Sequence, residues 1–148
     1  MGCSERRAPV PHVKYLVLHG AVILLIGFLC GAPLGSAIVR KKSEETIRAW
    51  RVAHTSLVGG GMLLLVLAAT VNRLMMDLWS MVAMVGAFVV GSYAFVLSLP
   101  LAAWSGQRGL SAAAPALNRV IYALNMLGAL ALLAGGALLV MGAYETLH

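Results

Sequence analysis

Residues 15–39 read YLVLHGAVILLIGFLCGAPLGSAIV, twenty-five positions in a row without a charged side chain. About 20 apolar residues of helix cross the roughly 30 Å of hydrocarbon in a bilayer. The stretch therefore reads as a membrane span. An α-helix is its natural form, because a helix satisfies its own backbone groups in lipid. Three further runs have the same character: residues 52–72, 78–99 and 120–144 are also free of charge. Pro100 follows the third and is read as its end. The expected fold is all-α, an integral membrane four-helix bundle in a single domain over residues 1–148. Short links between the spans favour up-down-up-down order. The link over 100–119 is the longest and has room for a short surface helix.

Composition excludes the other broad classes. The chain is 61% hydrophobic and 11% charged, against about 25% charged in soluble domains. Disordered chains are more polar still. No length is left for a soluble catalytic module, so any chemistry belongs within the bundle or at its rim. The formal net charge is +6, but the basic residues sit between the apolar runs, where membrane proteins keep them. No basic patch with interleaved aromatics points to nucleic acid. The links between spans one and two and between three and four hold Arg40, Lys41, Lys42, Arg48, Arg51, Arg108 and Arg119. The opposite side holds only Arg6, Arg7, Lys14 and Arg73. That bias predicts both termini outside the cytoplasm, and a multi-pass protein of this kind is expected in a bacterial inner membrane.

The two cysteines, Cys3 and Cys30, make neither a disulfide framework nor a zinc site. Cys30 reads as a small buried hydrophobe. Cys3 lacks the signal peptide a lipoprotein needs, and Met1-Gly2-Cys3-Ser4 lacks the serine spacing of an acylation start. Glycines punctuate the spans: Gly31 and Gly35 in the first, Gly59 to Gly61 in the second, and Gly128, Gly135, Gly136 and Gly142 in the fourth. Small residues let helices approach closely in lipid. Three glycines in a row also strip side chains from nearly a full turn and make room for something flat and large.

Polar residues inside a span are costly and so invite functional readings. They are His19, His54, Tyr93 and Asn125, with no acidic residue in any span. Hydrolytic sites need paired carboxylates or a nucleophile with an oriented base, and Ser56 near His54 has no acidic partner. A semi-buried imidazole without such partners is suited to metal binding. In a four-helix membrane bundle the familiar flat metal group is haem on a proximal histidine, with His54 ahead of His19 as the ligand. An interhelical hydrogen bond is the plainer role for either.

Trp50-Arg51-Val52-Ala53-His54-Thr55, followed by Gly61-Met62, has the pattern W-x-x-A-H-[ST] and resembles the start of the second span in styrene oxide isomerases. His19-Gly20, Gly91-Ser92-Tyr93-Ala94-Phe95 and Arg108-Gly109-Leu110 resemble that family's His-Gly, G-x-Y-x-F and R-G-L in order and rough spacing. The resemblance implies a homotrimer in membrane lipid, with haem b at the subunit interfaces. It implies His54 as the axial metal ligand, Gly60 and Gly61 beside the cofactor, and Tyr93 as the catalytic residue that positions a small apolar epoxide. It also implies a Meinwald rearrangement of aryl epoxide to aldehyde, with ferric iron as the Lewis acid and no cosubstrate. The family carries an asparagine where this chain has Gly60, so a roomier pocket and a larger epoxide are expected. Asn125 and Ser92 are the candidates to replace the lost amide. The alternatives are a haem carrier without isomerase activity, bis-ligated by His19 and His54, and a bundle with no cofactor. Bis-ligation is disfavoured by an expected separation of nearly a bilayer between the two histidines.

Overall fold

Pro33 shapes the first span. Its ring nitrogen cannot donate to the carbonyl of Leu29, and the ring crowds that carbonyl. The helix accordingly breaks into α1 (Pro11–Leu29) and α2 (Gly31–Val39), with Cys30 in a turn between them. The computed structural model describes residues 11–112 and 115–147. Cys3, Arg6 and Arg7 lie outside them. The remaining elements are α3 (Glu44–Thr70), a 3-10 turn (Val71–Arg73), α4 (Leu78–Ser105) and α5 (Ala116–Glu145). Four stretches are long and apolar enough to cross a membrane: Val13–Val39, Glu44–Arg73, Leu78–Ser105 and Ala116–Glu145. The described residues contain no strand, and the fold is the expected all-α four-helix bundle.

Two boundaries differ from the sequence reading. Much of the basic link before Val52 is helical, because α3 starts at Glu44. The Ser43 side chain accepts from the Thr46 N–H, and Glu44 and Glu45 face the positive helix end. Pro100 does not end the third span. The helix runs on to Ser105 and closes at Gly106, whose φ of 70° only glycine adopts readily. A proline inside a membrane helix is tolerated where neighbouring helices compensate.

The links are pinned. Asp77 caps α4 by accepting from the Trp79 and Ser80 backbone N–H groups. Hydrogen bonds from the Ser80 hydroxyl, then from its backbone, hold the Asp77 carboxyl below the usual carboxylate range. The Met75 N–H donates to the Thr146 hydroxyl at the end of α5. In the long link, Arg108 donates twice to Glu45 Oε1, and the Gly109 N–H donates to Asn118 Oδ1 at 2.9 Å. Gly109, at φ 57°, lies against Ile121, with no space for a Cβ. No surface helix forms among the described residues of this link.

Packing follows the lipid rule. Apolar side chains gain little by leaving lipid for a helix interface, so close backbone approach carries the association. Gly20, Gly27 and Gly61 hold α1 against α3, and Gly91, Gly128 and Gly135 hold α4 against α5. The main core lies among α1, α3 and α4, with Leu16, Ile23, Leu64, Met84 and Phe88 at its centre. Leu25, Phe28, Val66, Leu97 and Leu133 face outward, as lipid-exposed residues do. Trp79 and Trp104 are both exposed, near the two ends of α4. That is where interfacial aromatics sit.

Candidate functional site

His54 projects from α3 into the broken turn of the first span. Its Nδ1 lies 2.8 Å from the Gly27 carbonyl oxygen. A carbonyl only accepts, so Nδ1 carries the proton and donates. In the neutral ring, Nε2 then keeps its lone pair. Metal-binding histidines are held in this way, with the second ring nitrogen donating to a backbone carbonyl or a carboxylate. The ring lies over Gly31, where an added Cβ would stand 3.4 Å from it. Cys30 and Ala53, next in sequence to Gly31 and His54, form a buried apolar cluster with Leu57, against which Ile26, Trp50, Phe95, Val96 and Leu99 pack. Cys30 is a buried free thiol, as its apolar setting predicts.

This arrangement fits a haem. Among the described residues no three His, Cys, Asp or Glu side chains gather to hold a bare metal ion. A macrocycle brings four nitrogens of its own and needs from the protein an oriented imidazole and an apolar bed. His54 is such an imidazole, and its neighbours in the chain belong to an apolar cluster.

His19 and Tyr93 form a second centre. Tyr93, on α4, places its hydroxyl 3.0 Å from His19 Nδ1 on α1. The two rings meet edge to face at 90°, with centroids 5.5 Å apart. His54 and Tyr93 thus reach the same helix two turns apart, at Gly27 and at His19. The eight residue steps from His19 to Gly27 amount to about 12 Å along α1. This corrects the expected spacing of His19 and His54, which is far less than a bilayer. The reason is that α3 begins at Glu44, which carries His54 well into the membrane. About 12 Å is still too far for one haem to bind both histidines of one chain.

The glycine triplet is divided. A Cβ on Gly61 would lie 2.6 Å from the backbone nitrogen of Leu24, so this glycine belongs to the α1–α3 contact. Gly59 and Gly60 have nothing within 4 Å and open outward. Six residues at about 100° each put Gly60 roughly 120° round α3 from His54. One chain does not bring Gly60 and His54 onto one face. In the first span, Gly31 meets His54 and Gly35 faces open space.

Asn125 lies on the α4–α5 seam. There Gly91 meets Leu132, Phe95 meets Gly128 and Phe88 meets Gly135. The same antiparallel register sets Ser98 level with Asn125. Ser98 Oγ and Asn125 Oδ1 are both buried without a hydrogen-bond partner. Ser92 is buried as well. A cleft of about 230 Å³ lies apart from both histidines, where the start of α3 faces the end of α4. Arg48, Arg108, Val52 and Leu99 line part of it.

Sequence reasoning missed the Gly27 carbonyl and the His19–Tyr93 pair. Pro33 marks the break beside Gly27. Nothing local joins residues 19 and 93.

No individual curated protein and no solved structure matches this chain. A family model described as styrene oxide isomerase does match, over residues 12–144. That stretch takes in all four spans, both histidine centres and the pinned link at Arg108. On that match the chain belongs to the styrene oxide isomerase family.

Proposed function

We propose that the protein is a haem b-dependent isomerase that converts small aryl epoxides, styrene oxide among them, into aldehydes without a cosubstrate. The observation that carries this reading is the oriented imidazole of His54, its Nδ1–H spent on the Gly27 carbonyl and its Nε2 left for a metal. Haem b, if held there by His54, would supply a ferric Lewis acid for the epoxide oxygen. The protein's own residues do the rest. Tyr93 of a second copy of the chain would hold the substrate oxygen through its hydroxyl, since Tyr93 and His54 of one chain meet α1 two turns apart. The apolar surroundings at Phe95, Leu99 and Leu57 exclude water, which would otherwise trap the developing benzylic cation as a diol. The benzylic C–O bond opens, a hydride moves to the neighbouring carbon, and a carbonyl forms with every atom retained. No general base is required, in keeping with spans whose interiors hold no carboxylate. The homotrimer is part of the same proposal: Gly60 and His54 point in different directions around α3 and would meet one ligand only across a subunit boundary.

The test is an ultraviolet–visible spectrum in mild detergent, oxidised and then dithionite-reduced, followed by incubation with styrene oxide. A Soret band that shifts on reduction, together with phenylacetaldehyde as product, is expected. No Soret band after haem is supplied overturns the proposal. A Soret band without aldehyde leaves a haem protein that is not an isomerase of this substrate.

Tyr93→Phe is expected to lower kcat/KM about 100-fold, as loss of one donor to a developing oxyanion does, with the Soret band intact. Unchanged kinetics would reduce Tyr93 to a packing residue. Gly60→Asn restores an amide at the open position. It is expected to raise styrene oxide turnover about tenfold, the worth of one hydrogen bond. No gain would indicate a different natural epoxide.

A further inference from the structure

The phenol of Tyr93 does not stand alone. Its oxygen lies 3.0 Å from His19 Nδ1 on α1, 74 residues away in sequence. A bond between these two atoms has two possible directions. If Tyr93 donates to Nδ1, its only hydrogen is spent on His19. The oxygen then offers only lone pairs, and an epoxide oxygen, itself an acceptor, gains nothing from it. If His19 carries its proton on Nδ1 and donates, the Tyr93 O–H stays free for substrate. Accepting that bond also makes the phenol a stronger donor, because linked hydrogen bonds polarise one another.

We infer that His19 is a positioning residue: in its Nδ1–H form it donates to the Tyr93 oxygen and aims the Tyr93 O–H at the oxygen of an epoxide substrate. The inference rests on the proposed role of Tyr93 and assigns to His19 a task apart from metal binding. The surroundings suit it. Gly20, next in the chain, is pressed on the Gly61 carbonyl and on Leu65, where an added Cβ would lie 3.0 Å from each. Leu16 and Ile23, about one turn to either side of His19, are fully buried. The backbone carrying the imidazole is thus fixed against α3 while its ring reaches α4. The edge-to-face contact at 90° further limits rotation of the phenol. A histidine serving only as interhelical glue would work with either direction of the bond. The positioning role requires one of them.

The experiment uses the full-length, haem-loaded protein with styrene oxide as the probe. His19→Leu removes the donor. His19→Asn keeps an N–H close to the place of Nδ1. Expected results are about a tenfold loss of kcat/KM in His19→Leu, the worth of one hydrogen bond, with an unchanged Soret band and substantial recovery in His19→Asn. In a Tyr93→Phe background, His19→Leu is expected to cost nothing more. Independent, multiplying losses in the double variant overturn the inference. So does loss of the Soret band in a folded His19→Leu protein, which would make His19 a ligand. A second readout does not depend on turnover or on the stability of any His19 variant. The ultraviolet resonance Raman difference between wild type and Tyr93→Phe isolates the hydroxyl doublet of Tyr93. A doublet typical of an acceptor supports the inference, and one typical of a strong donor overturns it. Absence of aldehyde from the wild type would count against the isomerase reading, and the Raman result would still decide the direction of the His19–Tyr93 bond.

Discussion

His54→Ala protein, purified in mild detergent with haem supplied, is expected to show no Soret band above that of free haem. The reasoning starts from a single hydrogen bond. His54 Nδ1 donates to the Gly27 carbonyl at 2.8 Å, which fixes the ring and leaves Nε2 as the free nitrogen. Loss of an outer-shell partner alone costs about 10–100-fold in metal affinity, and loss of the ligand itself costs more. Alanine removes the half-buried ring over Gly31 and its bond to Gly27, while the glycine contacts of α1 with α3 at Gly20, Gly27 and Gly61 stay in place. Helix content and melting temperature are therefore expected to stay close to wild type. Full haem retention in a folded His54→Ala protein would remove His54 from the site and turn attention to His19.

The second large effect concerns the fold. Gly61→Val is expected to destabilise the bundle by about 3 kcal/mol or more, at the upper end of what overpacking costs. A Cβ at this position meets Leu24 N at 2.6 Å and Leu24 Cα at 2.8 Å. These are backbone atoms and cannot rotate away, so α1 must move off α3. That displacement also pulls the Gly27 carbonyl from His54, so haem content should fall along with stability. Its neighbour behaves oppositely. Gly60→Ala meets nothing within 4 Å, and alanine favours a helix over glycine by up to about 1 kcal/mol. Melting of the two variants in one detergent checks the contrast. Equal melting temperatures would mean that α1 and α3 do not pack in this register.

Much of the architecture is visible in one dimension. Four uncharged runs of span length need no tertiary information to be read as helices, because lipid leaves the backbone no other partner. The boundaries are less legible. Glu44 to Arg51 looks like a polar link, yet Ser43 and the two following glutamates start a helix there. Pro100 looks like a terminator, but a helix supported by neighbours passes through it. In both places a local signal competes with the surroundings, and the surroundings decide.

Within the site the division is sharper. His54 and Tyr93 stand out in one dimension, since a polar ring in hydrocarbon is costly enough to need a reason. The four uncharged runs also carry no carboxylate. What each ring touches is a matter of how the helices pack. His54 finds a carbonyl 27 residues away and Tyr93 finds an imidazole 74 residues away. Of three identical glycines, only Gly61 is taken up by a neighbouring helix. Composition and periodicity set which residues enter the membrane. Partners across helices depend on register and rotation, which are set by where small residues let two backbones meet, and that is a property of pairs of segments and not of either one alone.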